Sequence, residues 1–328
     1  MTRLRVALAV ASALAVALSI VGAHPQAQGS TPAGATVRTP WGDPDIQGIF
    51  TTDDELGVPF ERPEQFAGRE SVSDKEFADR QAQAVRQAET DAEEFVAPRA
   101  GRGGDGTGPP AHWLERGKPS RRTSIVIDPP DGRIPYINDD ARKRNAVAVN
   151  SRTSGNGPFD SPRSLDLYDR CITRGLPHVI FPTIYNNTSS IVQGPGFVAI
   201  RYEMIHDARV IPLDGRPQLS STIRQYFGDS RGHWDGDTLV VEVTNFPTNM
   251  VNYRGTGGNL HLVERFRRVD AKTVRYEVTV SDPSTFSRPW TAMLNLKTST
   301  QPDVFEYACH EGNYAMRNIL SGARASEK

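Results

Sequence analysis

The chain has 328 residues, and its 38 Lys and Arg stand against 39 Asp and Glu, which gives a formal net charge of −1 at pH 7. This near balance excludes the strongly basic proteins that bind nucleic acid or anionic membrane surfaces mainly through charge. A chain of this length can bury a sizeable core in one domain or in two.

The first residues are typical of a secretory signal. A short basic start precedes an apolar run over residues 6–22, and Val21 and Ala23 supply the small side chains that a signal peptidase requires. The apolar run is short for a membrane anchor, so we predict a signal peptide over residues 1–23 and a periplasmic or secreted mature protein. No later segment is long and apolar enough to cross a bilayer, which predicts no membrane association after cleavage.

Residues 24–120 are predicted to form an extended arm with one helix. Ser73 and Glu76 make a capping box, in which each side chain satisfies a free N–H of the first helical turn, and the spacing after them predicts a helix over residues 73–95. Its apolar stripe is thin and mostly Ala, which favours a helix lying on a surface. Residues 97–110 are rich in Gly, Arg and Pro and predict a linker.

Residues 121–325 have the sequence pattern of a mainly β domain. Short runs of alternating or β-branched residues follow one another, and Asp-Gly pairs at 214–215 and 235–236 supply tight turns. Such an antiparallel meander packs as a sandwich or closes into a barrel, and we predict an antiparallel β-barrel, lipocalin-like in general shape. The predicted strands include residues 197–211, 238–244, 259–269, 273–281, 289–296 and 303–310.

The chain has two cysteines, Cys171 and Cys309. An even pair in an exported protein favours a disulfide, because oxidising compartments preserve such bonds. Two separate buried thiols are the alternative.

One set of candidate site residues comes from the faces of the predicted strands. Alternation along residues 197–211 places Tyr202 and His206 on an otherwise apolar face, and it places Glu264 and Tyr276 on the apolar faces of two later strands. A buried lone carboxylate is costly, so Glu264 requires a partner, and an inward His206 is predicted to supply it. The four side chains would form an acid–base or ligand-orienting set in a barrel cavity. The alternatives are a structural polar pair, or a bulge that turns Glu264 to solvent.

A second candidate cluster is Glu306, His310 and Glu311. It resembles half of a His-Glu-x-x-His zinc motif, but Tyr314 stands where the second His is required and the segment reads as a strand. We therefore predict no zinc-protease chemistry, no bound metal and no cofactor.

Several stretches of the chain resemble a family of exported bacterial proteins, common in soil bacteria, to which no reaction is assigned. The longest is Gly228-Asp-Ser-Arg-Gly-His-Trp-Asp-Gly-Asp-Thr-Leu-Val-Val-Glu242, and another is Glu306-Tyr-Ala-Cys-His-Glu-Gly-Asn-Tyr314. Further stretches lie at residues 122–135, 203–209 and 261–266. The resemblance spans roughly residues 41–325 and implies one common architecture, without a reaction or catalytic residues.

These observations predict an exported protein whose barrel binds a small, fairly apolar molecule. As an enzyme it would use cofactor-free acid–base chemistry, as a lyase, isomerase or hydratase does. Two other classes stay open at this point. One is a non-catalytic envelope or interaction protein, and the other is a metal-dependent hydrolase with His and Glu ligands from different strands.

Overall fold

The structure is a computed structural model that describes residues 37–92, 114–144 and 159–327. The predicted signal peptide and the predicted linker at 97–110 lie outside the described residues. Within the ranges that are described, no helix has the length and apolar character that a membrane crossing requires.

The described residues form a mainly antiparallel β structure, which confirms the predicted fold class. Ten strands belong to one sheet. They are β1 (Gly48–Thr51), β2 (Val126–Asp128), β3 (Thr188–Gly194), β4 (Phe197–Tyr202), β5 (Ala208–Pro212), β6 (Asp229–Asp235), β7 (Thr238–Thr244), β8 (His261–Asp270), β9 (Thr273–Ser281) and β10 (Trp290–Thr298).

Nine of these strands curl into a nearly closed barrel in the order β5-β4-β3-β1-β10-β9-β8-β7-β6, and β2 pairs with β10 outside this path. The two end strands, β5 and β6, meet at a seam. At the seam a Cβ atom on Gly232 would lie 2.8 Å from the Ile211 side chain, so only glycine allows this close approach.

The strand interiors follow the expected period of two. On β9 the residues Val274, Tyr276, Val278 and Val280 are fully buried, as the alternation predicts. On β8 Leu262, Glu264 and Phe266 are also fully buried, so the carboxylate does point into the core and no bulge turns it outward.

Residues 197–211 are not one strand, as predicted, but the hairpin of β4 and β5. A tight turn separates the two strands, and Ile205 (φ 58°) and His206 (φ 51°) adopt left-handed backbone conformations in it. The turn shifts the alternation, so that Arg209 is buried on β5 while Val210 is exposed. The segment contains no Gly or Pro, and its apolar run therefore hides the reversal in the sequence.

The barrel does not begin at residue 121, because the predicted arm contributes one of its strands. β1 pairs with β3 on one side and with β10 on the other. The chain after β1 is held by buried Glu55, which accepts hydrogen bonds from Arg122 Nη1 at 2.7 Å and from the Asn295 backbone N–H at 2.9 Å.

The predicted helix of the arm is present as α1 (Asp74–Asp91), and its capping box is formed by Ser73 and Glu76. The helix buries no residue, in agreement with its thin apolar stripe. It is attached by arginines instead. The Arg121 guanidinium lies 4.2 Å from the centre of the Phe77 ring, and Arg80 Nη1 donates to the Arg122 carbonyl at 3.0 Å.

The C-terminal region differs from the prediction. Residues 303–310 form no strand, and Val304 is the only buried residue among them. A second helix, α2 (Ala315–Ser326), follows and was not predicted. Neither face of 303–310 is purely apolar, because Asp303 shares one face with Phe305 and Glu306 shares the other with Val304, so the alternation is a weak strand signal.

The predicted disulfide between Cys171 and Cys309 is formed. It links the chain before β3 to the chain after β10 across a sequence separation of 138 residues. In the chain-entropy account, closing such a long loop removes freedom from the unfolded state.

We expect denatured, unreduced protein to contain no thiol that reacts with a maleimide reagent. The double variant Cys171→Ser with Cys309→Ser should lose about 2–5 kcal/mol in the free energy of unfolding measured in urea, because its unfolded chain is less constrained. Labelling of reduced protein is the control. Two reactive thiols per unreduced chain would contradict the disulfide.

Candidate functional site

The predicted site residue Glu264 lies in a buried polar cluster inside the barrel. Arg209 makes a two-pronged ion pair with it, with Nη1–Oε2 at 2.6 Å and Nη2–Oε1 at 2.9 Å. The Tyr276 hydroxyl donates to Glu264 Oε1 at 2.8 Å. Arg209 is 7 % exposed and the other two are fully buried, so the charged pair is withdrawn from water.

The predicted pairing of His206 with Glu264 is wrong. His206 is exposed, and its Nδ1 lies 3.3 Å from the Tyr307 carbonyl oxygen. The turn between β4 and β5 moves His206 out of the alternation and brings Arg209 inward in its place. Sequence reasoning missed Arg209 because it sat on the opposite face of the assumed single strand. The sequence did contain a signal for Arg209, because a guanidinium is the best partner for a buried carboxylate such as that of Glu264.

Tyr202, the remaining member of the first predicted set, is 2 % exposed in the same interior. Its hydroxyl and Arg209 Nε have no hydrogen-bond partner among the described residues. Burial raises the pKa of Tyr202 above its ordinary value, and the nearby guanidinium of Arg209 opposes this rise. Burial alone would lower the pKa of Arg209, but the attraction of Glu264 raises it on balance, so the guanidinium stays charged. Packed side chains occupy this part of the barrel.

The second predicted cluster is exposed. Glu306, His310 and Glu311 all face solvent on the irregular chain before α2, so no strand places Glu306 and His310 on a common face. Among the side chains that the structure describes, no three from His, Cys, Asp and Glu converge as metal ligands.

A cleft of about 1030 Å³ lies outside the barrel interior. Its walls come from the segments 163–182 and 246–254, with Phe60 and Tyr226 between them. These segments adjoin one end of the barrel, where β3, β6 and β8 begin and β7 ends. We name it the end cleft.

Aromatic rings form the part of the end cleft nearest the barrel. Tyr253 stacks on Phe181 at a centroid distance of 5.9 Å, and Phe60 meets Phe181 edge-on at 5.1 Å. Both Phe60 and Tyr253 also contact the buried Trp290 at the start of β10. The rings close this end of the barrel and offer an apolar surface to the cleft.

The side chain of Arg254 lies directly beside these rings. The Arg254 guanidinium stands 3.5 Å from the centre of the Phe60 ring, and its Nε donates to the Tyr253 hydroxyl at 3.0 Å. Arg254 has φ of 54°, a left-handed conformation that is unfavourable for a residue with a side chain. Such strain persists where the surroundings hold a residue in place, and it is concentrated at functional sites.

The segment 163–182 also carries Arg174 and His178, whose ring lies 6.0 Å from that of Tyr253. Arg174 Nη2 lies 3.3 Å from His178 Nε2. A guanidinium can only donate, so this contact suits a ring whose Nε2 carries no proton. The half-buried imidazole is therefore a candidate acid–base group in the end cleft.

Two features fix the position of this wall. The disulfide ties Cys171 to the chain after β10, and Asp207 in the turn between β4 and β5 holds residues 173–174. Asp207 Oδ2 accepts from Thr173 Oγ1 at 3.0 Å and from the Arg174 backbone N–H at 3.1 Å. Burial raises the pKa of Asp207 to about 6, although these hydrogen bonds and the neighbouring His206 favour its ionised form.

The sequence analysis did not identify the end cleft. Its walls are irregular chain, where neither a period of two nor a helical period marks a common face. The sequence offered one signal for this cleft, a local enrichment in arginine, because Arg163, Arg170 and Arg174 lie within a stretch of twelve residues.

Comparison of the chain with family models, with curated proteins and with solved structures gave no match. The assignment of a function therefore rests on the geometry described above.

We expect Glu264→Gln to lower the free energy of unfolding by about 3–5 kcal/mol, because it leaves the buried Arg209 charge without a counter-charge. Urea unfolding followed by tryptophan fluorescence measures the change. Glu242→Gln, at an exposed position on β7, is the control and should stay within about 0.5 kcal/mol of the wild type. Equal effects of the two substitutions would contradict a buried ion pair.

The pKa of Asp207 predicts a pH dependence. Its folded value of about 6 lies above the unfolded value, so the folded state binds the proton more tightly and loses stability as pH rises through this window. Asp207→Asn removes the titration while keeping a hydrogen-bond acceptor. The free energy of unfolding of the variant minus that of wild type should therefore increase by about 2 kcal/mol as the pH rises from 4 to 7.5.

The matched control for this experiment is Asp214→Asn. Asp214 is exposed and Arg216 lowers its pKa to about 2, so this variant should follow wild type across the same pH range. A constant difference between Asp207→Asn and wild type at pH 4 and pH 7.5 would show that Asp207 does not titrate there.

Proposed function

We propose that this protein binds a small molecule in the end cleft and does so outside the cytoplasm. The observation that carries the proposal is the cleft itself, whose volume of about 1030 Å³ is at the upper end of the range of small-molecule sites. Its aromatic rings can cover an apolar molecule, and a small number of polar groups can orient it.

The proposal places the ligand beyond the barrel end and not among the interior side chains. Tyr202, Arg209, Glu264 and Tyr276 are at most 7 % exposed, and Glu264 accepts hydrogen bonds from both Arg209 and Tyr276. A molecule bound there would have to displace the buried ion pair, which costs far more than binding in an open cleft.

The disulfide supports a location outside the cytoplasm, because reducing agents in the cytosol keep most thiols free. The amino-terminal segment, with its basic start and short apolar run, agrees with the same location.

A catalytic form of this function is favoured by one observation, the contact of His178 Nε2 with Arg174 in the cleft. If Arg174 turned from this nitrogen to the bound molecule, Nε2 would accept a proton from that molecule, and the guanidinium would stabilise the negative charge left on it. This replaces His206 as the candidate base. A metal-dependent hydrolase gains no support from the described side chains, which offer no converging ligand set.

The test of binding uses Nile red, an uncharged dye whose fluorescence rises in apolar surroundings. Wild type should bind it, and Ser164→Trp or Asn249→Trp should weaken binding at least 10-fold, because each fills the cleft from one wall. Thr300→Trp, at an exposed position outside the cleft lining, is the control and should bind as wild type does. Binding that is unchanged in both cleft variants, or absent from wild type, would contradict the proposed site.

A further inference from the structure

The end cleft is strongly cationic in a chain that is close to neutral overall. Among the described residues that line it, four are arginines (Arg163, Arg170, Arg174 and Arg254), whereas one, Asp166, is a carboxylate. The whole chain has a net charge of −1, so the excess of positive charge belongs to this cleft and not to the composition.

Three buried or half-buried arginines elsewhere in the fold are matched by carboxylates, whereas Arg62, which is 4 % exposed, is held by the Pro130 carbonyl at 2.6 Å. Arg209 pairs with Glu264, Arg122 with Glu55 and Arg231 with Asp229. Withdrawal of a guanidinium from water is costly without a counter-charge, and these three pairs meet that requirement.

Three arginines of the end cleft have no carboxylate partner of this kind. Among the residues that the structure describes, no carboxylate forms an ion pair with Arg163, Arg170 or Arg254. Arg254 contacts the Phe60 ring and the Tyr253 phenol, which are neutral, and Glu61 attracts it only from beyond ion-pair distance. Its positive charge is therefore held in place without being neutralised.

A concave surface with charges of one sign focuses the electrostatic field and concentrates ligands of the opposite sign. Guanidinium groups are planar forks that match the two oxygens of a carboxylate. Arg254 is held by its ring contact and its hydrogen bond, so little conformational freedom remains to be lost when an anion binds.

The position of Arg254 also indicates the chemistry of the uncharged part of the ligand. Its guanidinium lies beside the rings of Phe60, Tyr253 and Phe181, so charge recognition and apolar contact occur side by side. We propose that the end cleft selects an aromatic carboxylate, with the carboxylate on the arginines and the flat apolar body on the rings. This inference rests on the proposed binding function and specifies its ligand class.

The test compares three probes with the same ring system and different charges, which are 1-naphthoate, 1-naphthalenemethanol and 1-naphthylmethylammonium. Isothermal titration of the mature protein should show naphthoate binding at least 10-fold more tightly than the alcohol and the ammonium. Raising the salt concentration from 20 to 300 mM should weaken naphthoate binding alone, because salt screens the arginines.

Arg163→Gln and Arg170→Gln should each reduce the preference for naphthoate over the alcohol by about 3-fold to 10-fold, because the loss of a charge weakens naphthoate binding more than alcohol binding. Arg267→Gln, at an exposed position on the outer face of β8, removes the same charge outside the cleft and should leave the preference intact. Far-ultraviolet circular dichroism confirms that each variant is folded.

Equal affinities for naphthoate and the alcohol, or a preference that both arginine variants retain, would overturn the carboxylate proposal. The Nile red experiment is independent of charge, so the binding function survives this result if the dye still binds in the cleft. Tighter binding of 1-naphthalenesulfonate than of naphthoate would also overturn it, because the site would then select anions without the two-oxygen geometry.

Discussion

The barrel depends on one buried interaction, the ion pair between Arg209 on β5 and Glu264 on β8. The two strands lie on opposite sides of the seam, and the pair crosses it inside the barrel. A shift of β5 by one residue would turn Arg209 outward and leave Glu264 as a lone buried carboxylate. The pair therefore specifies the register of the strand that closes the barrel, and apolar packing alone would allow more than one register.

The hairpin that supplies this arginine also builds the end cleft. Asp207 and Arg209 are two residues apart on the chain, yet Asp207 holds the cleft wall at Thr173 while Arg209 enters the barrel. The left-handed backbone at Ile205 and His206 makes both placements possible, because it reverses the chain within a few residues. Barrel closure and cleft geometry thus share one short turn.

The polar cluster inside the barrel and the polar groups of the end cleft differ in how their charges are paired. Inside the barrel, charge is matched, since Arg209, Glu264 and Tyr276 satisfy one another away from water. In the end cleft, Arg254 rests on neutral rings and pairs with no carboxylate of the described residues. A matched buried pair defines one packed arrangement, whereas we propose that the charge of Arg254 beside an apolar surface serves to bind a ligand.

The sequence by itself determined whatever depends on a short, regular pattern. The capping box at Ser73 and Glu76, the inward faces of β8 and β9, the antiparallel barrel and the disulfide of Cys171 with Cys309 all follow from local spacing or from a count of two cysteines. Burial of Glu264 was also predictable, because it occupies an apolar position in a period-two strand.

Tertiary structure decided the partners. Nothing local marked the turn that exchanges His206 for Arg209, and nothing assigned β1 to a sheet whose other members lie far along the chain. The end cleft likewise depends on contacts between distant parts of the chain. Its walls are irregular segments that the disulfide, Asp207 and the aromatic rings bring together at one barrel end. Periodicity tells which face of a strand is buried, but which side chains meet on that face depends on register and closure, and these are properties of the whole sheet.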